Sequence, residues 1–164
     1  SAYCLMPNHF HLLVKIKSEA DLKAANIFFQ TDRIIAPTNI KQMPKDNDFP
    51  KFVSRIFGNL FSSYTQAYNK QQKRRGGLFI QSIKRIRVDS DNYFTRLIYY
   101  IHNNPVHHKF VEDMEDWNFS SYNLYLSENP KDSDRNKILD SFGGLAAFKA
   151  FHKGNIQAIK EIEF

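Results

Sequence analysis

Two histidines separated by a single residue stand near the beginning of the sequence. His9 and His11 flank Phe10 in a run of β-type residues that continues to Lys17. Side chains of a strand alternate between its faces, so both imidazoles are predicted on one side, with Cα atoms about 6.6 Å apart. Two imidazoles at that spacing can bind one divalent metal, while Phe10 anchors the strand in the core. By itself, the pair is equally well explained as two exposed histidines on an edge strand.

A tyrosine and an asparagine form a second candidate set on a predicted helix. Tyr100 and Asn104 are four residues apart, which places a phenol and an amide on one helical face. Tyr99 is rotated about 140° from Asn104. The shared face could meet the histidine pair. On spacing alone, the simpler interpretation is that both tyrosines are half-buried packing residues and that Asn104 caps the helix.

The elements before and around the histidines are short. A strand at Tyr3–Met6 and a turn at Pro7 precede the histidine strand, which is predicted to run from His9 to Lys17. A helix is predicted over residues 18–27, with Ser18 as N-cap. A long polar loop follows at 31–48.

Two long helices are predicted in the middle of the chain. The first begins near Phe49 and ends in a basic tail stopped by Gly76, and a strand follows at Leu78–Val88. The second is capped by Asp89, Ser90 or Asp91 and ends just after Asn104, where Pro105 follows. Its predicted buried residues are Tyr93, Phe94, Leu97, Ile98 and Ile101.

Short helices are predicted from about Asp134 onward, and Gly143 and Gly144 divide two of them. Strands separated by helices favour an α+β fold or an α/β sandwich.

Composition narrows the classes of protein that remain. The chain has 164 residues and a net charge of +6, which weakly favours a polyanionic partner. Its apolar runs are far shorter than the ~18 residues of a membrane span, so no membrane association is predicted. A single cysteine, Cys4, excludes an internal disulfide framework and a CxxC zinc site, and a reducing cytoplasm is the expected location.

Taken together, the motifs resemble the single-tyrosine HUH transposase superfamily, whose name denotes His, hydrophobe, His. The segment Pro-Asn-His-Phe-His-Leu-Leu-Val at 7–14 and the segment Tyr-Ile-His-Asn-Asn-Pro-Val at 100–106 are jointly specific for it. The segments at 75–82 and 116–122 resemble its Gly-Leu-Phe-Gln and Asp-Trp-x-x-Ser-Ser-Tyr boxes. The most similar branch is that of the REP-associated tyrosine transposases and related insertion-sequence transposases.

The resemblance implies a ferredoxin-like antiparallel sheet with helices on one or both faces. Family members usually carry a strand and a helix before the histidine strand, and we expect this sequence to lack them. Residues 1–126 would form the catalytic domain and residues 127–164 a helical C-terminal extension.

The resemblance also implies a chemistry. His9, His11 and Asn104 would bind Mg²⁺ or Mn²⁺, and Tyr100 would form a 5′-phosphotyrosine link that releases a 3′-OH. The substrate would be single-stranded or hairpin DNA in the nucleoid. Two basic clusters are the expected phosphate contacts: Lys73, Arg74 and Arg75, and Lys84, Arg85 and Arg87.

Other interpretations remain open within this resemblance. Relatives work as monomers or as homodimers that pair one chain's histidines with the other's tyrosine. A degenerate or domesticated DNA-binding protein without turnover is the main alternative to a transposase. A replication initiator or relaxase of the wider HUH group is a third.

Overall fold

The computed structural model describes residues 1–18, 20–21, 49–79, 84–127 and 133–154. The chain divides into two compact units, one of residues 1–15 with 86–164 and one of residues 16–85. Strands and helices are both present, and the two described strands are antiparallel, so the predicted α+β class is confirmed. In the described part of the chain, no helix is both long and apolar enough to cross a membrane.

A two-stranded hairpin opens the first unit. Strand β1 (Ala2–Leu5) pairs with β2 (Phe10–Leu13), and Cys4 lies opposite His11. One face of the hairpin is buried, with Cys4 fully covered, whereas Leu5 on the other face is 46% exposed. The observed strand β2 is shorter at both ends than the predicted histidine strand, which runs from His9 to Lys17. Leu13 pairs with Ala2, the first residue of β1, so the residues that follow Leu13 have no partner in that strand.

A long helix, α1 (Phe49–Gln71), lies in the second unit and confirms the predicted apolar repeat. The helix ends at Gln71, before Gly76, where the sequence predicts its end. Two residues later, Lys73 takes the left-handed conformation with φ of 51°. Phe61 packs edge-on against Phe79, with ring centroids 4.9 Å apart. The apolar face of α1 therefore continues past the end of the helix into the segment that follows.

The second unit also contains the predicted start of a helix at Ser18. Its hydroxyl accepts a hydrogen bond from the Asp21 backbone N–H, and the Asp21 carboxylate accepts one from the Ser18 N–H. This reciprocal pair is a capping box, and it agrees with the predicted N-cap at Ser18. Most of the predicted helix at 18–27 and the predicted loop at 31–48 lie outside the described residues.

The predicted strand at Leu78–Val88 is not found in its described parts. Leu78, Phe79 and residues 84–88 have no strand structure, and residues 80–83 lie outside the described chain. Alternating apolar residues give a strand only where a neighbouring strand supplies its hydrogen bonds. The sheet in the described part of the chain consists of β1 (Ala2–Leu5) and β2 (Phe10–Leu13) and does not include these residues.

Helix α2 (Asp91–His107) packs against β1 and carries the candidate tyrosine. Ser90 is the N-cap, and its hydroxyl accepts the Tyr93 N–H at 3.3 Å, which selects one of the three predicted caps. Leu97, Ile98 and Ile101 lie in the core, as predicted.

The predicted end of α2 after Asn104 is wrong, because the helix continues through Pro105 to His107. A proline removes the hydrogen bond that its own N–H would have donated, but it leaves the donors that follow it intact. The next turn still closes, since the His108 N–H donates to the Asn104 carbonyl at 2.9 Å. A proline in the last turn therefore does not stop this helix.

A short segment around Ser120 runs along β1 on the side away from β2. The Leu5 N–H donates to the Phe119 carbonyl at 2.8 Å, and the Ser121 N–H donates to the Tyr3 carbonyl at 2.9 Å. Between them, Cys4 and Ser120 form an isolated β-bridge. The segment thereby fixes the edge of the hairpin.

Short helices complete the first unit: a 3₁₀ turn at Met114–Asp116, α3 (Tyr122–Leu126), α4 (Ser133–Phe142) and α5 (Leu145–Gly154). Gly143 and Gly144 separate α4 from α5 as predicted, with φ of 86° and 104°, a conformation that disfavours other residues. Phe148 of α5 is fully buried in the same core as β1 and α2. The domain boundary at residue 126 stays a prediction.

Candidate active site

The two histidines of the hairpin lie together. The ring centroids of His9 and His11 are 5.1 Å apart and the rings are nearly perpendicular. His9 immediately precedes β2, and its Nδ1 lies 2.8 Å from the Asn8 side-chain oxygen. Because a carboxamide oxygen only accepts, Nδ1 is the donor of this bond, and Nε2 is the ring nitrogen that could bind a metal. Asn8 thus orients His9 in a way the sequence motif did not indicate.

Tyr100 approaches the histidine pair from α2, and Tyr99 does not. The Tyr100 ring centroid lies 5.4 Å from that of His11. Tyr99 is only 2% exposed and packs against Phe151 and His152 in the core. Burial raises the pKa of the Tyr99 phenol. The two neighbouring tyrosines therefore occupy different environments, and only Tyr100 is beside a histidine of the pair.

Asn104 presents a single atom for further binding. Its side-chain Nδ2 donates to the Tyr100 carbonyl at 2.8 Å, one turn earlier in the helix. Its Oδ1 and His11 Nε2 are both buried and make no hydrogen bond of normal geometry to the described residues, although the two side chains interact closely enough for Asn104 to raise the pKa of His11. Buried polar atoms without partners are uncommon, so two of them at one candidate site are what a ligand-binding position would provide.

Burial sets the protonation of His11. Burial and, to a smaller extent, the neighbouring His9 lower the pKa of His11 to about 4, against the opposing effect of a hydrogen bond from the Asn104 side chain. At neutral pH the His11 ring is consequently uncharged. A neutral imidazole offers the lone pair that a metal requires.

His108 extends the cluster beyond the predicted set. It caps the end of α2, and its ring centroid lies 5.3 Å from that of His9. Reduced hydration and the neighbouring His107 and His9 lower the pKa of His108. Among the described residues, no group of three or more His, Cys, Asp or Glu side chains has a geometry that could hold a metal. A metal beside His9 and His11 would thus depend on the amide oxygen of Asn104.

The predicted phosphate-contacting residues are exposed and are divided between the two units. Arg85 donates to the Ser54 hydroxyl of α1, and the Arg74 guanidinium lies 5.8 Å from the Tyr68 ring centre, all within the second unit. Arg87 belongs to the first unit, where it lines an open depression with Asp89 and Asp91. The exposed basic side chains are Lys73, Arg74, Arg75, Lys84, Arg85 and Arg87.

A stronger electrostatic signal is the distribution of charge along the chain. Residues 49–88 contain nine Lys and Arg and no Asp or Glu. The rest of the chain contains 14 basic and 17 acidic residues, so the basic excess comes entirely from this stretch. Counting charge by segment would have found this from the sequence, whereas the net charge of +6 conceals it.

Comparison with known proteins gives one informative relative. A Haemophilus influenzae protein named "Putative REP-associated tyrosine transposase" is 26% identical over 121 residues. The match covers 74% of this chain but 57% of that protein, so the chain spans less than two thirds of its relative. No family model and no solved structure matches. The resemblance to tyrosine transposases that the histidine and tyrosine motifs indicate is therefore confirmed by a similar, curated sequence.

Proposed function

We propose that this protein is a transposase-like enzyme that binds single-stranded or hairpin DNA and cleaves and rejoins it through Tyr100. The observation that carries the proposal is the approach of Tyr100 to His11, with His9 adjacent. His11 Nε2 and Asn104 Oδ1 are buried without a hydrogen bond of normal geometry, and both are atoms that can bind a metal. The name of the Haemophilus relative supports the same class of activity.

The donor set fits a divalent metal such as Mg²⁺ or Mn²⁺. His9, His11 and Asn104 would hold it, since imidazole nitrogen and amide oxygen are both acceptable ligands. The buried atoms His11 Nε2 and Asn104 Oδ1 are of the types required. Such an ion supplies Lewis-acid polarisation of a phosphate and offsets the charge that develops during displacement.

Tyr100 supplies the nucleophile. Its phenol oxygen forms a bond to phosphorus as the bond from phosphorus to the 3′ oxygen breaks. The phenol proton passes to water, and the departing 3′ oxygen gains a proton to become a 3′-OH. Because the phosphodiester is conserved as a 5′-phosphotyrosine, attack by a 3′-OH can restore the strand without ATP.

The basic stretch at 49–88 would bind the DNA backbone. Nine positive side chains without a compensating carboxylate favour a polyanion regardless of base sequence. Replacing Arg85 by Gln should reduce the steepness of log affinity against log salt. The slope should change by about 0.7 for each phosphate of a single strand that is no longer neutralised. Lys149→Gln, at an exposed position of α5, is the matched control and should leave the slope unchanged.

Covalent trapping tests the proposal directly. The full-length protein is incubated with Mn²⁺ and a 3′-end-labelled hairpin strand, and the products are separated on a denaturing gel. A shifted protein–DNA band is expected for the unchanged protein and for Tyr99→Phe, and it should be absent for Tyr100→Phe.

Two results would contradict the proposal in different ways. A band that persists in Tyr100→Phe would assign the nucleophile to another residue. Salt-dependent DNA binding by the unchanged protein without any band would instead support a DNA-binding relative that lacks turnover.

A further inference from the structure

A chain of buried hydrogen bonds lies on the side of α2 that faces away from the candidate site. His102 is fully buried and stands two residues from both Tyr100 and Asn104. Two helical steps rotate a side chain by about 200°. The His102 ring therefore points into the core from the same turns that present Tyr100 and Asn104 to the histidine pair.

Both nitrogens of His102 are hydrogen-bonded. Nε2 lies 2.8 Å from the Ser121 hydroxyl, and Nδ1 lies 3.1 Å from His152 Nε2. His152 in turn has its Nδ1 2.9 Å from the Phe148 carbonyl. The network joins α2 to the segment beside β1 and to α5.

The bonding partners fix the direction of every proton in the network. The Phe148 carbonyl can only accept, so His152 Nδ1 carries a proton and Nε2 accepts from His102 Nδ1. His102 Nε2 is left as an acceptor, and the Ser121 hydroxyl donates to it. Ser121 Oγ meanwhile accepts the Tyr3 N–H at 2.9 Å.

Ser121 connects this network to β1, the strand that pairs with the histidine strand β2. Besides accepting from the Tyr3 N–H, Ser121 donates its own N–H to the Tyr3 carbonyl at 2.9 Å. The next residue of β1, Cys4, lies opposite His11 in the hairpin. Three consecutive links thus lead from the tyrosine helix to the histidine strand.

We propose that His102 and Ser121 act as positioning residues that fix the axial place and rotation of α2 relative to the hairpin. This inference rests on the proposed function. Hydrogen bonds are directional, and a slide or rotation of α2 would misalign both bonds of the His102 ring at once. An apolar side chain of the same size would fill the space without selecting one register.

Correct placement matters because nucleophilic attack tolerates little error. A displacement of about 1 Å can lower a reaction rate about 100-fold. Removing the Ser121 hydroxyl should therefore lower the rate of covalent attachment while leaving DNA affinity unchanged.

The test compares Ser121→Ala with Ser120→Ala. Both serines are 2% exposed and adjacent, but only Ser121 bonds to His102. At saturating hairpin DNA and Mn²⁺, we expect the single-turnover rate of adduct formation to fall by roughly 100-fold in Ser121→Ala, at unchanged DNA affinity. Ser121→Cys keeps a weak donor, so its rate of adduct formation should lie between those of the unchanged protein and Ser121→Ala. If Ser121→Ala does not fold, Ser121→Cys takes its place in the comparison.

Equal rates in the two alanine variants, or a decrease explained wholly by weaker DNA binding, would overturn the inference. If the unchanged protein forms no adduct, the proposed function fails, and the NMR signals of the His11 ring decide the positioning question. They should shift in Ser121→Ala and stay in place in Ser120→Ala. Unshifted signals in both variants would overturn the inference in that case as well.

Discussion

Two pairs of histidines in the same unit have nearly the same spacing and opposite surroundings. The ring centroids of His9 and His11 are 5.1 Å apart, and those of His102 and His152 are 5.3 Å apart. In the core pair, the ring nitrogens have partners within the protein. In the hairpin pair, His11 Nε2 is buried and makes no hydrogen bond of normal geometry to the described residues.

The difference shows that spacing alone does not distinguish a binding site from a stabilising interaction. Burial lowers the pKa of His11 and of His152 alike, to about 4 in each case. What separates the pairs is that His11 Nε2 and Asn104 Oδ1 are buried without a hydrogen bond of normal geometry. A core tends to satisfy its polar atoms, whereas a binding site leaves some for its ligand.

Replacing one histidine from each pair should separate function from stability. His11→Ala is expected to lower Mn²⁺-dependent cleavage by more than about 100-fold, since even a residue that only supports a ligand contributes roughly 10–100-fold. His152→Ala should destabilise the fold by about 3 kcal/mol, because it empties a packed core position. Single-turnover cleavage and denaturant unfolding measure the two effects. A large decrease in stability in His11→Ala, with cleavage retained, would reverse the assignment.

The core pair should make the fold sensitive to acid. The unfolded chain protonates His152 near its ordinary pKa of 6.5, whereas the folded protein does so only near 4. The contribution of His152 to the free energy of unfolding is thus fully present above about pH 6.5. It is lost as the pH falls to about 4, which lowers the free energy of unfolding by about 3 kcal/mol. His102, whose pKa burial also lowers, acts in the same direction, and so does His11 of the hairpin pair, whose pKa is also about 4.

Urea unfolding between pH 7 and pH 4 measures this dependence. His152→Phe should reduce its steepness, and His107→Ala, at an exposed position, should retain it. An unchanged slope in His152→Phe would show that other groups cause the acid sensitivity.

The smallest effect concerns the orientation of the hairpin pair. Asn8→Ala removes the acceptor of His9 Nδ1, so the ring is no longer held in its preferred tautomer and direction. Because this hydrogen bond is exposed, we expect apparent Mn²⁺ affinity to fall only about tenfold, the low end for such supporting residues. Mn²⁺ titration of cleavage gives the value, with Asn123→Ala as a control at an asparagine outside the histidine cluster. An unchanged affinity would mean that His9 needs no such support.

Local patterns predicted much of what positions the candidate site. The Ser90 cap, helix α1 and the glycine break between α4 and α5 all depend on residues within a few positions of one another. The helical phase of Tyr100 is of the same kind, and it agrees with the placement of Tyr100 beside His11. The metal and catalytic roles of these residues stay predictions.

Features that depend on distant partners were not predictable in this way. The alternation at 78–88 indicated a strand, but a strand also needs a second strand to hydrogen-bond with, and local alternation does not show whether one is present. His102 and His152 are 50 residues apart, and nothing in either local sequence indicates the other. The prediction that α2 ends before Pro105 was wrong for a different reason, because the effect of a proline depends on its position in the helix.

The buried thiol of Cys4 provides a built-in probe of how often the hairpin opens. Cys4 is fully covered, and burial raises its thiol pKa to about 11, so thiol reagents should react with it very slowly while the fold is closed. It is the one cysteine in the sequence, so any labelling reports this position alone. The labelling rate divided by that of the unfolded chain gives the equilibrium constant for transient exposure of β1. Measured with and without DNA, that constant would show whether substrate binding suppresses the fluctuations of the strand that faces His11.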